Sequence, residues 1–321
     1  MKKSLLAVAV AAALPVVAHA QVTLSGSIAT GIIDSGAPGA KAKVDRFGGG
    51  ANAININSTE KIAGGLSAGF SSQMRFHPST GNMASNGGAA SGNALFHVAD
   101  LFVSGGFGTV RMGKVSEASN CAFDPWGCLT GTGSLITGTA AYLLAGTPQA
   151  NSIRYITPSI SGLQASFQTT LNRANEDRQV FVVTYAAGPI VAQYLRAANS
   201  PASGSSGQNG ETGGLKAMEH GIGLSYKLPM ATLMFNHINK ENAAGTKTSS
   251  VNNIGASIPL GTIAIWAGYS KDSKAAHTAD NAWALGVNYP LSKRTSIGAD
   301  VFEKEVLNGS TGFVLRARHT F

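Results

Sequence analysis

The groups able to do chemistry in this sequence are few, and they do not gather into a recognisable reaction centre. Gly108-Thr109-Val110-Arg111-Met112-Gly113-Lys114 spells most of a phosphate-cradling loop. That motif needs a hydroxyl residue after the lysine and a helix to follow. Val115 stands at the hydroxyl position and Gly106-Phe107 reads as a turn between strands, so the match is coincidental. His97, His220, His237 and His319 fall singly on strand-like segments. None brings a nucleophile and a base within reach of one another, and no His-Glu-x-x-His pair is present. The reading is therefore a non-enzyme without cofactor or metal. Cys121 and Cys128 are the two cysteines of the chain. Two thiolates with no histidine in the same stretch fall short of the four ligands zinc takes. In an oxidising compartment such a pair is expected to close a small loop as a disulfide, provided the Cα atoms approach within about 7 Å.

Cations are the remaining candidates. The formal charge is +8, of which Lys2 and Lys3 contribute two, leaving +6 for the rest. No run of Lys or Arg exceeds a pair, which argues against a nucleic-acid footprint. Arg75, Arg111, Arg154, Lys227, Arg316 and Arg318 each fall on the polar side of an alternating segment. Placed that way they suit the lining of a pore or contacts to anionic lipid.

The elements that would hold them begin after an export signal. Met1-Lys2-Lys3 is a short positive region, Leu5 to Val17 is an almost unbroken apolar run, and Ala18-His19-Ala20 fits a small-x-small cleavage site. Residues 1–20 are thus expected to be a signal peptide and 21–321 a single exported domain. Charged residues are only 12% and apolar ones 44%, without any block of about 20 that could span a bilayer as a helix. The apolar content must be spread through many short segments.

Those segments alternate with period two. Leu66, Ala68, Phe70, Met74 and Phe76 oppose Ser67, Gly69, Ser71, Gln73 and Arg75. Leu163, Ala165 and Phe167 oppose Gln164, Ser166 and Gln168, and Ile222, Leu224 and Tyr226 oppose Gly221, Gly223, Ser225 and Lys227. Trp283, Leu285, Val287 and Tyr289 alternate with small residues. Short Gly- or Pro-rich turns take turns with long polar loops at Asp34 to Gly50, His77 to Asn93, Val115 to Ala150, Ala198 to Lys216, Asn239 to Thr248 and Lys271 to Asp280. Short and long connections in alternation are how the two ends of a membrane barrel differ. Counting segments gives an all-β, transmembrane antiparallel β-barrel of about 16 strands. In Ile190 to Ala197 both faces look mixed. A soluble β-sandwich array shares the alternation, but Tyr226, Tyr269, Trp283, Tyr289 and Phe321 lie near strand ends, where interfacial girdles belong.

These residues resemble the general porin family of Gram-negative bacteria, in particular its β-proteobacterial branch. Val22-Thr23-Leu24-Ser25-Gly26 is similar to the family's opening V-T-L-Y-G strand, and Gly64-Gly65-Leu66-Ser67-Ala68-Gly69-Phe70 to its G-G-L-x-A-x-F turn and strand. Gly105 to Lys114 looks like the G-x-F-G-T-V-x-L-G-R segment leading into loop 3, and Asn151-Ser152-Ile153-Arg154-Tyr155 matches the strand that follows it. Leu315 to Phe321 resembles the family's terminal L-R-H-x-F. Ser25 replaces the family's Tyr, Asp45 to Ala51 keeps Arg46 but lacks the family's second arginine, and the P-E-F-G-G stretch of loop 3 is absent.

The resemblance implies an outer-membrane homotrimer of sixteen-stranded barrels, each with loop 3 folded inward, passing ions and small hydrophilic solutes by passive diffusion. It implies that Arg46 joins the lumen cations and that Phe321 signals to the outer-membrane assembly machinery. Glu117 and Asp124 in loop 3 would oppose the wall arginines, and opposed charges across a constriction set up a field that biases ions by sign. A basic excess points to anion preference. A substrate-specific channel and a non-conducting, surface-binding barrel are the two alternatives.

Overall fold

The computed structural model describes residues 21–46, 52–83, 95–116, 148–171, 178–198, 218–273, 281–304 and 310–321. Strands β1 (Gln21–Asp34), β2 (Lys43–Arg46), β3 (Ala53–Ile62), β4 (Leu66–Arg75), β5 (Val98–Gly105) and β6 (Gly108–Val115) form the first part of one sheet. Next come β7 (Gln149–Ile156), β8 (Leu163–Thr170), β9 (Gln179–Ala187), β10 (Ile190–Ala198), β11 (Met218–Lys227) and β12 (Thr232–Glu241). The sheet finishes with β13 (Lys247–Leu260), β14 (Ile263–Asp272), β15 (Asn281–Pro290), β16 (Thr295–Lys304) and β17 (Ser310–Thr320).

Each strand pairs antiparallel with its neighbours, and β17 returns to β1 in register from Ser27↔Thr320 to Asp34↔Phe313. The sheet is a closed cylinder without edges. β2 and β3 both pair with β1, at Thr30↔Arg46 and Ser27↔Ala53, so they are two pieces of one stave. The seventeen strands therefore make a sixteen-stave barrel. Part of the expected first loop is thus strand, because Val44 alternates with Lys43 and Asp45 and lands beside Ile32 on the outer face. The connection expected over Asn239 to Thr248 also shrinks to residues 242–246, since β12 and β13 run on past a bulge at Lys240 and Glu241.

Ala29 pairs with Arg318 of β17 on one side, but the break between β2 and β3 leaves it without a strand partner on the other. Asn52 fills that place with its side chain: its Oδ1 accepts from the Ala29 N–H at 2.7 Å and its Nδ2 donates to the Ala29 carbonyl at 2.9 Å. One carboxamide reproduces the donor–acceptor pair that a strand residue would have offered.

Parity sorts the side chains as the alternation predicts. Phe167 is 44% exposed and Leu285 46%, while Gln168 and Gly286 beside them are buried toward the interior. The outer surface is a band of Leu, Ile, Val, Phe and aromatic groups. In hydrocarbon an unsatisfied backbone group costs several kcal/mol. Asn52→Leu, which keeps the size but removes both bonds to Ala29, should therefore destabilise the folded barrel by about 2–5 kcal/mol. Equilibrium urea unfolding in lipid vesicles, followed by tryptophan fluorescence, measures it.

Candidate functional site

The inner wall is built from the residues of each strand that oppose the apolar ones. On one side it carries two arginines abreast. Arg111 of β6 and Arg154 of β7 are direct cross-strand partners, so their side chains leave the sheet on the same face a strand spacing apart. Arg111 pairs with the carboxylate of Asp100 on β5, approaches Ser71 Oγ at 3.4 Å and lies 5.0 Å from the centre of the Phe102 ring. Arg154 donates to the Ser116 carbonyl at 3.0 Å and to Ser166 Oγ at 3.2 Å. These contacts hold both guanidinium groups against the wall, with the half-buried Ser71 and the buried Ser166 and Gln168 as polar neighbours.

The other predicted cations do not converge on that pair. Arg75 ends β4 at the long-loop side, where its Nε donates to Gln73 Oε1 at 2.6 Å. Lys227 is the last residue of β11, exposed at the short-turn rim. Arg46 departs from the expected lumen position. Paired with Thr30, it takes the parity of Val44 and Ile32, which is the outward set, and Asp45 takes the inward place. Its charge reaches His77 in the turn after β4, where burial and then Arg46 hold the imidazole below its ordinary value.

Arg316 and Arg318 face inward from β17, as expected, but Arg316 is not a solvated cation. Its Nε and Nη2 donate to the two oxygens of Asp300 at 2.7 and 3.1 Å, and Asp300 also accepts from Trp266 Nε1 at 3.1 Å. The remaining donors reach Asn288 Oδ1 at 2.9 Å and the Val287 carbonyl at 3.2 Å. Arg316, Asp300 and Trp266 are all buried. Gly298 permits this: a Cβ there would sit 2.5 Å from the guanidinium carbon. Arg318, two residues on, has no partner for its buried Nε among the described residues.

The carboxylates expected opposite the wall arginines are in loop 3, but several acids and one more arginine lie elsewhere. Asp100 and Asp300 come from the wall itself. Near the long-loop end Arg178 stands 3.9 Å from Glu219, whose register partner on β12 is Lys240, all three buried. Extending the His220–Lys227 alternation back by one residue would have placed Glu219 inside. Gly65-Leu66-Ser67-Ala68-Gly69 spells the Gly-x-Ser-x-Gly of a nucleophile elbow. It runs from a short turn straight into β4, with no helix after it, so the strained strand-to-helix geometry is lacking. Gly108 to Val115 is β6 throughout, not a phosphate loop. No group of metal-ligating side chains occurs among the described residues. Glu117, Asp124, Cys121 and Cys128 lie outside the described residues, as does the expected signal segment 1–20.

The pattern of the Gram-negative porin family matches residues 7–308. The chain belongs to that family. It is 28% identical over 319 residues to outer membrane porin protein 32 of Delftia acidovorans, spanning 92% of this chain and 88% of that one. Its fold is similar to an anion-selective porin from Comamonas acidovorans, with a TM-score of 0.69 at 21% identity over 94% of this chain and 100% of the other. A loop-deleted OmpT of Vibrio cholerae shares the fold at a TM-score of 0.66 and 13% identity, over 94% and 99% of the two chains.

As a porin the protein resides in the Gram-negative outer membrane and forms a channel through it. Its short turns then face the periplasm and its long loops the exterior. The periplasmic end of the seam is finished by Phe321. Its backbone N–H and C=O pair with Gly26 at 3.0 Å each, and its ring lies where a Cβ on Gly26 would come within 2.6 Å. Gly26 of the opening strand is thus a seat for the chain's last residue.

The buried Arg316–Asp300 pair yields a stability prediction. Removing one partner of such a pair leaves an uncompensated charge and costs about 3–5 kcal/mol. Asp300→Ala and Arg316→Ala should each lower unfolding stability by that amount, whereas the combined Asp300→Ala/Arg316→Met porin should lose less than the sum. Urea titration of the three variants in vesicles reads the coupling.

Proposed function

We propose that this porin is a general diffusion pore for small hydrophilic solutes and ions, with a preference for anions. The observation that carries the preference is the adjacent pair Arg111 and Arg154 on the inner wall, two cations with the one wall carboxylate Asp100 beside them, together with Arg75, Arg318 and Lys227 elsewhere on inward positions. Fixed cations on a narrow, low-dielectric wall raise the local concentration of anions. The Comamonas acidovorans relative, whose fold this chain shares, is an anion-selective porin. In our reading loop 3 sets the aperture, with Glu117 and Asp124 facing the arginines and a Cys121–Cys128 disulfide pinning the loop between them. Residues 1–20 are removed on export, three copies assemble, and Phe321 is the residue read by the assembly machinery.

Single-channel recording in a planar bilayer under a salt gradient tests the central claim. The expected reversal potential has the anion sign. Saturable flux with block by one solute would instead indicate a substrate-specific channel, and a folded but silent barrel a surface-binding protein. At about 5 Å in water one unit charge is worth about 0.8 kcal/mol, close to a factor of four in local ion concentration. Arg154→Gln should therefore cut the anion-to-cation permeability ratio about two- to fourfold at low salt, and by less at 1 M, where screening acts within about 3 Å. The disulfide is checked separately. Alkylation of the unfolded, unreduced protein should leave both thiols unmodified, and prior reduction should add two alkyl groups.

A further inference from the structure

The chain leaves β6 for loop 3 at a defect in the ladder. Gly113 faces Ser152 on β7 and Val115 faces Gln149, so Lys114 alone stands against Ala150 and Asn151. Asn151 takes up the extra length with a left-handed φ of 53°, and its carbonyl accepts from the Leu171 N–H just past β8 at 2.7 Å. A bulge of this kind bends its strand and can end the pairing. Here Val115↔Gln149 is the last β6–β7 pair among the described residues.

Side chains take over where the ladder stops. Lys114 Nζ donates to the Phe96 carbonyl ahead of β5 at 3.0 Å. Gln168 of β8 donates from Nε2 to the Val115 carbonyl at 3.4 Å, and Arg154 of β7 donates from Nη1 to the Ser116 carbonyl at 3.0 Å. Three consecutive residues are thus each tied to a different part of the wall. Gln168 and Arg154 are cross-strand partners on the inner face. A carbonyl in the plane of a sheet is taken by the N–H of the adjoining strand. These two accept from side chains standing inside, so here the chain has turned out of the sheet toward the lumen. Val115 and Gln168 are 1% and 2% exposed, and solvent does not compete for their bond. Gln168 Oε1 has no partner among the described residues. A leucine would fill that space without leaving a buried oxygen bare, which is costly. What calls for an amide there is the bond to Val115.

We propose that Gln168 and Arg154 are positioning residues for loop 3, fixing the direction in which the chain enters the lumen from β6. The consequence for transport rests on the reading that loop 3 sets the aperture. On that reading Gln168, neutral and buried, governs pore size without touching a passing ion. Arg154 has two duties at once: its charge biases the sign of the ion, and its donors to Ser116 and Ser166 hold the start of the loop.

The test uses the folded full-length porin and two variants that leave the net charge of the wall as it is. Gln168→Leu keeps the size and removes the donor. Arg154→Lys keeps the charge and replaces a planar fork of donors by a single ammonium. In detergent micelles each should speed amide hydrogen exchange over residues 113–120 about fivefold, the scale of one lost hydrogen bond. Exchange in β10 to β16 should stay at the wild-type rate. In planar bilayers each should shift the single-channel conductance while keeping the wild-type reversal potential under a salt gradient. Gln164→Leu, on the same strand but bonded to the Thr157 carbonyl near the periplasmic turn, should leave exchange over 113–120 unchanged. Wild-type exchange there in both Gln168→Leu and Arg154→Lys would overturn the proposal. So would an equal acceleration by Gln164→Leu, or one spread over the whole barrel. Faster exchange with an unaltered conductance would uphold the positioning role and overturn instead the reading that loop 3 sets the aperture.

Discussion

In hydrocarbon no water satisfies a peptide group, so each backbone donor and acceptor must find its partner within the chain. A sheet meets that demand only by closing, and the pairing of β17 with β1 is where this chain closes. The local features that are hardest to explain otherwise follow from the same demand. Asn52 bonds both sides of the Ala29 peptide because a gap between β2 and β3 would otherwise leave them bare. Phe321 exchanges two backbone bonds with Gly26, which carries the β1–β17 seam one step beyond Thr320.

Closure fixes which solvent each side chain meets. The outer face needs only apolar bulk, and Phe167, Phe181, Tyr155 and their neighbours supply it. Inner residues have more varied duties. Some are polar and hydrogen-bonded, as Ser71, Ser166 and Gln168 are around the arginine pair. Others are packed: Val180, Val182, Leu195, Ile238 and Val251 form one buried cluster, and Ile33, Trp266, Phe302 and Val314 another. The interior is not a uniform wet tube. It has an arginine-bearing wall along β4 to β8 and more densely packed walls along β9 to β13 and β14 to β1.

That asymmetry explains what could be read from the sequence and what could not. Where the inner face is polar, as in Leu66 to Arg75 or Leu163 to Thr170, period-two alternation gave both the strand and the correct side. In Ile190 to Ala198 the inner residues include Val191, Leu195 and Ala197, so apolar groups occupy both faces and the alternation vanishes. The eye sees a mixed segment although the strand is regular. The short strand Lys43–Arg46 was hidden for a different reason: four residues carry too little pattern, and its place depends on long-range pairing with β1. Arg46 then falls on the outward parity, which no local rule could show across the interruption that follows.

The arginines show the same limit for electrostatics. Arg154 and Arg316 have identical sequence credentials: each is an inward residue in an alternating strand near a periplasmic end. Their fates differ through neighbours far away in sequence. Arg316 meets Asp300 on the adjoining strand, Trp266 two strands further round, and a glycine at 298 whose missing side chain lets the guanidinium lie flat. Its charge is answered within 3 Å, and a dipole of that size fades well inside a Debye length of about 8–10 Å. Arg154 is instead set beside a second guanidinium, that of Arg111, and the one wall carboxylate nearby, Asp100, is paired with Arg111 while also feeling the charge of Arg154. Counting inward arginines therefore overstates how many act on a passing ion. What the pore field reflects is the balance of cations and carboxylates at each place on the wall, two guanidinium groups to one carboxylate at Arg111, Arg154 and Asp100 but one to one at Arg316 and Asp300, and that is decided by register rather than by composition.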